Sequence, residues 1–399
     1  MASAAFVETD DGAGPDLIPY SRQEISEEDI AAVTAALTSD FLTQGPAVPA
    51  FEDAFAARHA VSHAVAVSNA TAALHVGCLA LGMAPGKRVW TSPISFVSSA
   101  NCAVMCGASV DFVDIDPATR NMSLNALRAK LEEADKAGAL PDLLIPVDFA
   151  GLPCDLAEMR ALADRYGFRI LADASHATGA DYRGAPVGRR FADATVFSFH
   201  AVKIVTSAEG GMIVTQDDAL ARELRLLRSH GITRDPAEMQ GDAEGAWYYE
   251  QTRLGYNYRL TDLQAALGAS QLTRLDAWRA ARERLAARYD RLLADAPVIL
   301  PARLEDRQSA WHLYAVELAD GAARKRAEVF DAMRTERILV NVHYIPIHLQ
   351  PFYRARGFAP GDFPAAERYY ARALTLPLFP AMTEAQQDRV VDTLVRLIG

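Results

Sequence analysis

The sequence predicts an α/β fold: a largely parallel central sheet sandwiched by helices, with a smaller α+β domain at the C-terminus. Two observations lead there. Through the first part of the chain, short apolar runs of strand length alternate with helical patterns. From about Asp262 that alternation gives way to a long amphipathic stretch rich in Arg and Ala, and then to mixed short elements. At 399 residues the chain exceeds what one small core organises, so two domains are expected.

The elements follow in order. Residues 1–16 are small and acidic with no basic lead into an apolar stretch, so they are expected to be a poorly ordered N-terminus and not a signal peptide. Ser26-Glu27-Glu28-Asp29 reads as an N-cap with an acidic first turn, followed by Ile30, Val33 and Leu37 at helical spacing. Strands are predicted over Ala64–Val67, Arg88–Thr91, Val110–Val113, Leu143–Val147, Arg169–Ala172 and Ala194–Phe199. Helices are predicted over Thr71–Leu81 and up to about Cys106. One long helix is expected from Leu263 through Leu267, Leu272 and Leu275 towards Tyr289, as a connector. Ala310–Leu318, Leu339–His343 and a terminal helix over Glu384–Leu397 fill the smaller unit. The expected division is a large domain over 17–260, and the connector with the small domain over 261–399.

Composition removes several function classes. The net charge is −11 and no Lys/Arg-rich run supplies a basic face, so no nucleic-acid partner is expected. Arg324-Lys325-Arg326 reads as a solvated helix face. No apolar run reaches the length of a membrane span, so a cytoplasmic, non-membrane protein is expected. The four cysteines form no disulfide framework, and Cys102 and Cys106 lack further ligands nearby, so they read as core thiols and no metal is expected.

In an open parallel sheet the ligand sits beyond the carboxyl ends of the strands, and three such ends carry polar residues. Ser68-Asn69-Ala70-Thr71 opens directly into a helix, where free N–H groups and a hydroxyl make a phosphate cradle or, alternatively, an ordinary N-cap. Asp173 ends an apolar strand, with His176 three residues on. A carboxylate there suits a protonated pyridinium, or else caps the following turn. Phe197-Ser198-Phe199-His200-Ala201-Val202-Lys203, followed by Glu209-Gly210-Gly211, brings a lysine just past a buried strand. Partial burial lets such an amine lose its proton and react with a carbonyl.

The string Phe197 to Gly211 resembles the lysine segment of the DegT/DnrJ/EryC-type sugar aminotransferases, a branch of the fold-type-I pyridoxal phosphate enzymes. The likeness runs from about Ile18 to the C-terminus. Trp90 to Phe96, Asn101 to Asp116, Trp247 to Glu250 and Asn341 to His348 resemble the branch that makes 4-amino sugars for pseudaminic acid. The resemblance implies pyridoxal 5'-phosphate, passing through pyridoxamine 5'-phosphate, with Lys203 as Schiff-base lysine and proton shuttle. It implies Asp173 on the pyridine nitrogen, His176 near the phenolic oxygen, and Asn69, Ala70, Thr71 and Ser198 on the phosphate. It further implies Phe96 stacked on the ring, with an ordinary core aromatic as the other reading. Active sites of this class lie at a homodimer interface, so Asn257 and Arg259 would reach the partner's site. Ala70 stands where Gly is commoner and His176 where Gln is commoner; both variants resemble those of enzymes that make 4-amino sugars. Because Lys203 is present, the dehydrating branch that lacks this lysine is disfavoured.

The expected reaction moves the amino group of L-glutamate to C4 of a UDP-linked 4-keto-6-deoxy sugar. His343 and His348 are candidates for the sugar side, and Arg228 and His230 for the diphosphate. The other readings are structural histidines and a solvated loop. A non-catalytic cofactor-binding sensor is the rival from another class, opposed by the intact set Asp173, His176 and Lys203.

Overall fold

A computed structural model describes residues 17–399 apart from 321 and 323; the expectation for residues 1–16 lies outside the described residues. Seven strands build the central sheet: β1 (His63–Val67), β2 (Arg88–Thr91), β3 (Ser109–Phe112), β4 (Leu143–Ile145), β5 (Arg169–Asp173), β6 (Ala194–Ser198) and β7 (Gly211–Thr215). Their order is β1-β7-β6-β5-β4-β2-β3. Strand β7 runs against both its neighbours, and the other pairings are parallel. The six strands read from the sequence are all present. The seventh was missed because it follows the Gly210-Gly211 pair without alternation, as strands buried on both faces do.

Both faces are covered. Helix α1 (Glu27–Leu37) begins at a capping box between Ser26 and Asp29, as the sequence predicts. Helices α2 (Ala47–His59), α3 (Ala70–Ala80), α4 (Ser98–Met105), α5 (Leu124–Ala137), α6 (Leu156–Tyr166) and α7 (Asp218–Arg228) follow. One core gathers Phe51, Phe55, Leu127, Met159, Ile170 and Phe199. The other gathers Val65, Leu74, Val89, Leu143, Leu171 and Ile213. Cys78, Cys102, Cys106 and Cys154 are all buried and free, so these thiols are core fillers.

The connector is two helices, not one. Helix α8 (Asp262–Leu272) stops at Thr273–Arg274 and α9 (Leu275–Leu292) restarts. The continuous apolar periodicity concealed that break. The face of α8 that is buried carries Ala265, Gly268 and Gln271, while Leu263 and Leu267 are only partly covered. Gly268 lets α2 approach so closely that a Cβ there would stand 2.7 Å from Phe51.

A further core, beyond the central sheet's pair, forms around β8 (Val298–Ile299), β9 (Tyr314–Leu318) and β10 (Ala373–Leu376), with α9, α10 (Arg326–Thr335) and α11 (Glu384–Ile398). Leu339–His343 forms no ladder strand; Asn341 makes only an isolated bridge to Thr375. Ile18 packs in this further core, and its N–H and C=O bond to Arg337 and Leu339. We propose the domain boundary within 260–290, with the residues around Ile18 crossing over to the smaller unit.

Candidate active site

The turn between β1 and α3, the expected phosphate cradle, is built where three strands meet at one residue. Gly211 opens β7 and pairs with Val67 of β1 on one side and Ser198 of β6 on the other. A Cβ at Gly211 would lie 2.6 Å from the Asn69 carbonyl carbon, so only glycine lets the turn after β1 settle on the sheet edge. Asn69 caps α3, its Oδ1 accepting the Ala72 N–H at 2.8 Å. Thr71 Oγ1 is 2.7 Å from Ser98 Oγ at the start of α4. Asn69, Ala70, Thr71 and the buried Ser198 thus come together at the positive end of a helix.

Asp173 ends β5 and is 5% exposed. Its Oδ2 accepts the Ser99 hydroxyl at 2.6 Å and its Oδ1 the Ser175 N–H at 3.1 Å. Ser99 in turn lies 2.7 Å from Ser95 Oγ. A buried carboxylate needs such donors to offset its lost hydration. Neither serine is visible as a site residue in sequence, because both read as ordinary helix-start residues.

Lys203 sits on the loop between β6 and β7. Burial pushes its amine down to about 8, with the nearby Asp173 pulling the other way. His176 Nδ1 accepts the Ala150 N–H at 3.2 Å, which leaves the proton on Nε2, 3.1 Å from the Tyr344 hydroxyl. Burial, then the Lys203 charge, then His343 hold His176 well below its ordinary value. His343 Nδ1 lies 2.8 Å from Thr375 Oγ1, and burial followed by Lys203 lowers it to about 3. A reactive amine is thus ringed by neutral imidazoles.

His312 is the residue sequence reasoning missed. Its Nε2 is 3.4 Å from Lys203 Nζ and its ring centroid 4.5 Å from that of His176. It precedes β9, outside the central sheet, and so lies away from the carboxyl ends of that sheet's strands in sequence. A histidine inside the otherwise apolar Ala310–Val316 run was the available signal.

Other candidates sit apart. Phe96 is 60% exposed, its ring 6.4 Å from Tyr344. Tyr256 and Tyr258 pack on His75, and the alternation of an extended segment turns Asn257 and Arg259 to the other side. Asn257 is exposed, and Arg259 Nη1 donates to Ser229 Oγ at 3.1 Å. His230 adopts φ 63° beside this segment, its N–H on the Tyr256 carbonyl.

Two candidates are corrected. Arg228 Nη1 donates to Glu52 and to the Ala66 carbonyl, the latter at 2.7 Å; its contacts tie β1 to α2 and α7 and do not prepare it for a diphosphate. His348 is fully buried against Phe112 and Phe363, with Nε2 2.9 Å from Glu367 Oε1, which makes it a structural histidine.

Residues 23–395 match the DegT/DnrJ/EryC1/StrS aminotransferase family. The chain belongs to that family. It is 40% identical over 379 residues to the spore coat polysaccharide biosynthesis protein SpsC of Bacillus subtilis, spanning 94% of this chain and 95% of that protein. Among solved structures it is similar to Helicobacter pylori PseC, an aminotransferase involved in the biosynthesis of pseudoaminic acid. That similarity has a TM-score of 0.87 at 30% identity, covering 96% and 99% of the two chains. It is also similar to Streptococcus pneumoniae Spr1654 in its PLP form, with a TM-score of 0.86 at 28% identity, covering 96% and 98%. The protein is a pyridoxal-phosphate-dependent sugar aminotransferase of fold type I.

The residues present suit that cofactor. A helix N-terminus with hydroxyls fits a phosphate, a buried carboxylate fits a pyridinium, and a desolvated amine fits an aldehyde. Among the described residues no group of His, Cys, Asp or Glu is arranged to hold a metal ion.

Proposed function

We propose that this aminotransferase takes the amino group of L-glutamate and delivers it to C4 of a UDP-linked 4-keto-6-deoxy sugar. The specific acceptor we favour is UDP-2-acetamido-2,6-dideoxy-β-L-arabino-hex-4-ulose, on the route to pseudaminic-acid-type sugars. The observation that carries the chemistry is the Lys203 amine, lowered to about 8 and set among Asp173, His176, His312 and His343. The likeness to PseC supports the choice of sugar.

Pyridoxal phosphate, when bound, supplies an electron sink that lets an amino group and a carbonyl exchange places. Asn69, Ala70, Thr71 and Ser198 would hold its phosphate, Asp173 its ring nitrogen, and His176 would stand by its phenolic oxygen. Lys203 Nζ, half deprotonated near pH 8 and neutral above it, takes the α-proton of the amino donor and returns a proton when the keto sugar is aminated. Asp173, held by Ser99 and Ser175, keeps its carboxylate aimed into the site through both halves. Because donor and acceptor use the same lysine in turn, ping-pong kinetics are expected.

We further propose a cytoplasmic homodimer. Ile30, Leu37, Phe41 and Leu42 are exposed on and after α1, while Asp29 on the same helix is buried. That inverted pattern supports a second copy seated on this face. Asn257 and Arg259 would then reach the partner's cofactor phosphate or substrate. Phe96 would stack on the cofactor ring, and His343 and His230 would line the substrate side.

A second reading rests on SpsC, which is more similar in sequence at 40% identity than PseC at 30%: the acceptor is a different 4-keto sugar nucleotide. Turnover of the purified protein with L-glutamate and a panel of UDP-, GDP- and pentose-derived 4-keto sugars decides. Amination of the L-arabino sugar with the highest kcat/KM supports the first reading. Its rejection beside a reactive alternative replaces it with the second.

A further inference from the structure

Behind His312 stands a cation that makes no ion pair among the described residues. Arg282, on α9, is 1% exposed, and burial lowers its guanidinium to about 10. Its Nη1 donates instead to three main-chain carbonyls: Trp311 at 3.1 Å, His312 at 3.3 Å and Leu378 at 3.1 Å. Isolated buried cations are costly, and several convergent carbonyls are what make this one tolerable. Two of the three come from the turn at Trp311, which takes the left-handed φ of 49°.

The same turn is gripped from two other sides. Glu283, the next residue on α9, accepts the Trp311 Nε1–H at 2.5 Å. Gly151 lies so close that a Cβ on it would stand 3.0 and 3.1 Å from the Trp311 and His312 nitrogens. The adjoining Ala150 carries the N–H that bonds His176. One turn thus fixes where the His312 ring stands relative to Lys203.

Its protonation follows from what is left unpaired. His312 Nδ1 is buried with no partner. An unpaired acceptor costs less than an unpaired donor, so the proton belongs on Nε2, facing Lys203 Nζ at 3.4 Å. An N–H aimed at the amine is compatible only with its neutral form. The groups facing Lys203 are Asp173, His176, His312 and His343. Only Asp173 among them favours the ammonium.

We propose that Arg282 is a positioning residue for amino transfer, acting through the Trp311–His312 main chain to aim the His312 Nε2–H at the lone pair of neutral Lys203. The proposal rests on Lys203 being the reacting amine. The test labels the full-length, cofactor-free protein with acetic anhydride across a pH series and reads Lys203 acetylation by mass spectrometry. Holoenzyme kinetics are run beside it. Arg282→Met and His312→Phe should each raise the pH of half-labelling by about one unit. The double variant should shift no further than His312→Phe alone, and Arg282→Lys should recover part of the effect. In the holoenzyme, kcat should fall with KM for the donor little changed. Additive shifts would mean that Arg282 acts by its charge alone and would overturn the proposal, as would an unmoved Lys203 in His312→Phe. Should Arg282→Met not fold by circular dichroism, His312→Phe with Arg282→Lys still decides. Failure of the underlying reading shows separately, as turnover that survives Lys203→Ala.

Discussion

At the scale of single residues, Lys203 is held in a form the fold itself disfavours. Its folded value of about 8 lies below the ordinary 10.5, so the unfolded chain binds the proton more tightly. Below about pH 8 the buried ammonium costs stability; that cost fades as pH rises from about 8 towards 10.5. Lys203→Met should therefore raise the melting midpoint of the cofactor-free protein at pH 7 by about 3 °C, with the gain vanishing near pH 10.5. The same change, or Lys203→Ala, should lower turnover about a thousandfold or more and abolish the visible absorption of the lysine-bound cofactor. The buried histidines act at the other end of the scale. His343, at about 3 against an ordinary 6.5, should draw stability down as pH falls from about 6.5 to 3, since only the unfolded chain accepts its proton there. Thermal melts of His343→Gln against the parent, run from pH 7 to pH 4, check this: the parent should lose more.

At the scale of elements, the turn between β1 and α3 depends on Gly211 and the α1–α8 contact on Asp29. Gly211→Ala should weaken cofactor phosphate binding about a hundredfold, measured by fluorescence titration, because its Cβ would stand 2.6 Å from the Asn69 carbonyl. Asp29 is fully buried, takes the Ser270 hydroxyl at 2.7 Å and the Gln271 amide at 2.6 Å, and pairs with Arg274. Asp29→Ala should cost about 3 kcal/mol in a urea titration, since it strands the half-buried Arg274 guanidinium together with the Gln271 amide. The strands were legible in sequence wherever an apolar run was bounded by polar residues, and with them Asp173 and Lys203. The break at Thr273–Arg274 was not, because periodicity is blind to a turn that keeps phase. Ser99 and Ser95 stayed hidden for another reason: their role exists only once α4 lies across the end of β5.

At the scale of the whole molecule, the sequence conveyed the layers and the turn between β1 and α3 but not which residues from beyond the central sheet would meet Lys203. His312 and His343 come from the C-terminal part of the chain and Lys203 from the part that builds the central sheet, and no local pattern announces which distant side chains will face the lysine. Assembly is the matter a further prediction addresses. Analytical ultracentrifugation should show a dimer, and Ile30→Glu with Phe41→Glu should yield a monomer whose cofactor affinity falls, because Asn257 and Arg259 would no longer meet a partner's site.

Lys203 and His312 stand 109 positions apart in the chain and 3.4 Å apart in space. A contact of that span closes late, after the local structure on either side has formed. A nascent chain that has produced only the central sheet would already own the turn between β1 and α3, Asp173 and the lysine, yet would lack the imidazole that faces the amine. Cofactor colour should therefore lag behind helical signal when the denatured protein is returned to native conditions. The yellow band would serve as a clock for the docking of one domain on the other, and its delay would measure how long the half-built enzyme stays harmless.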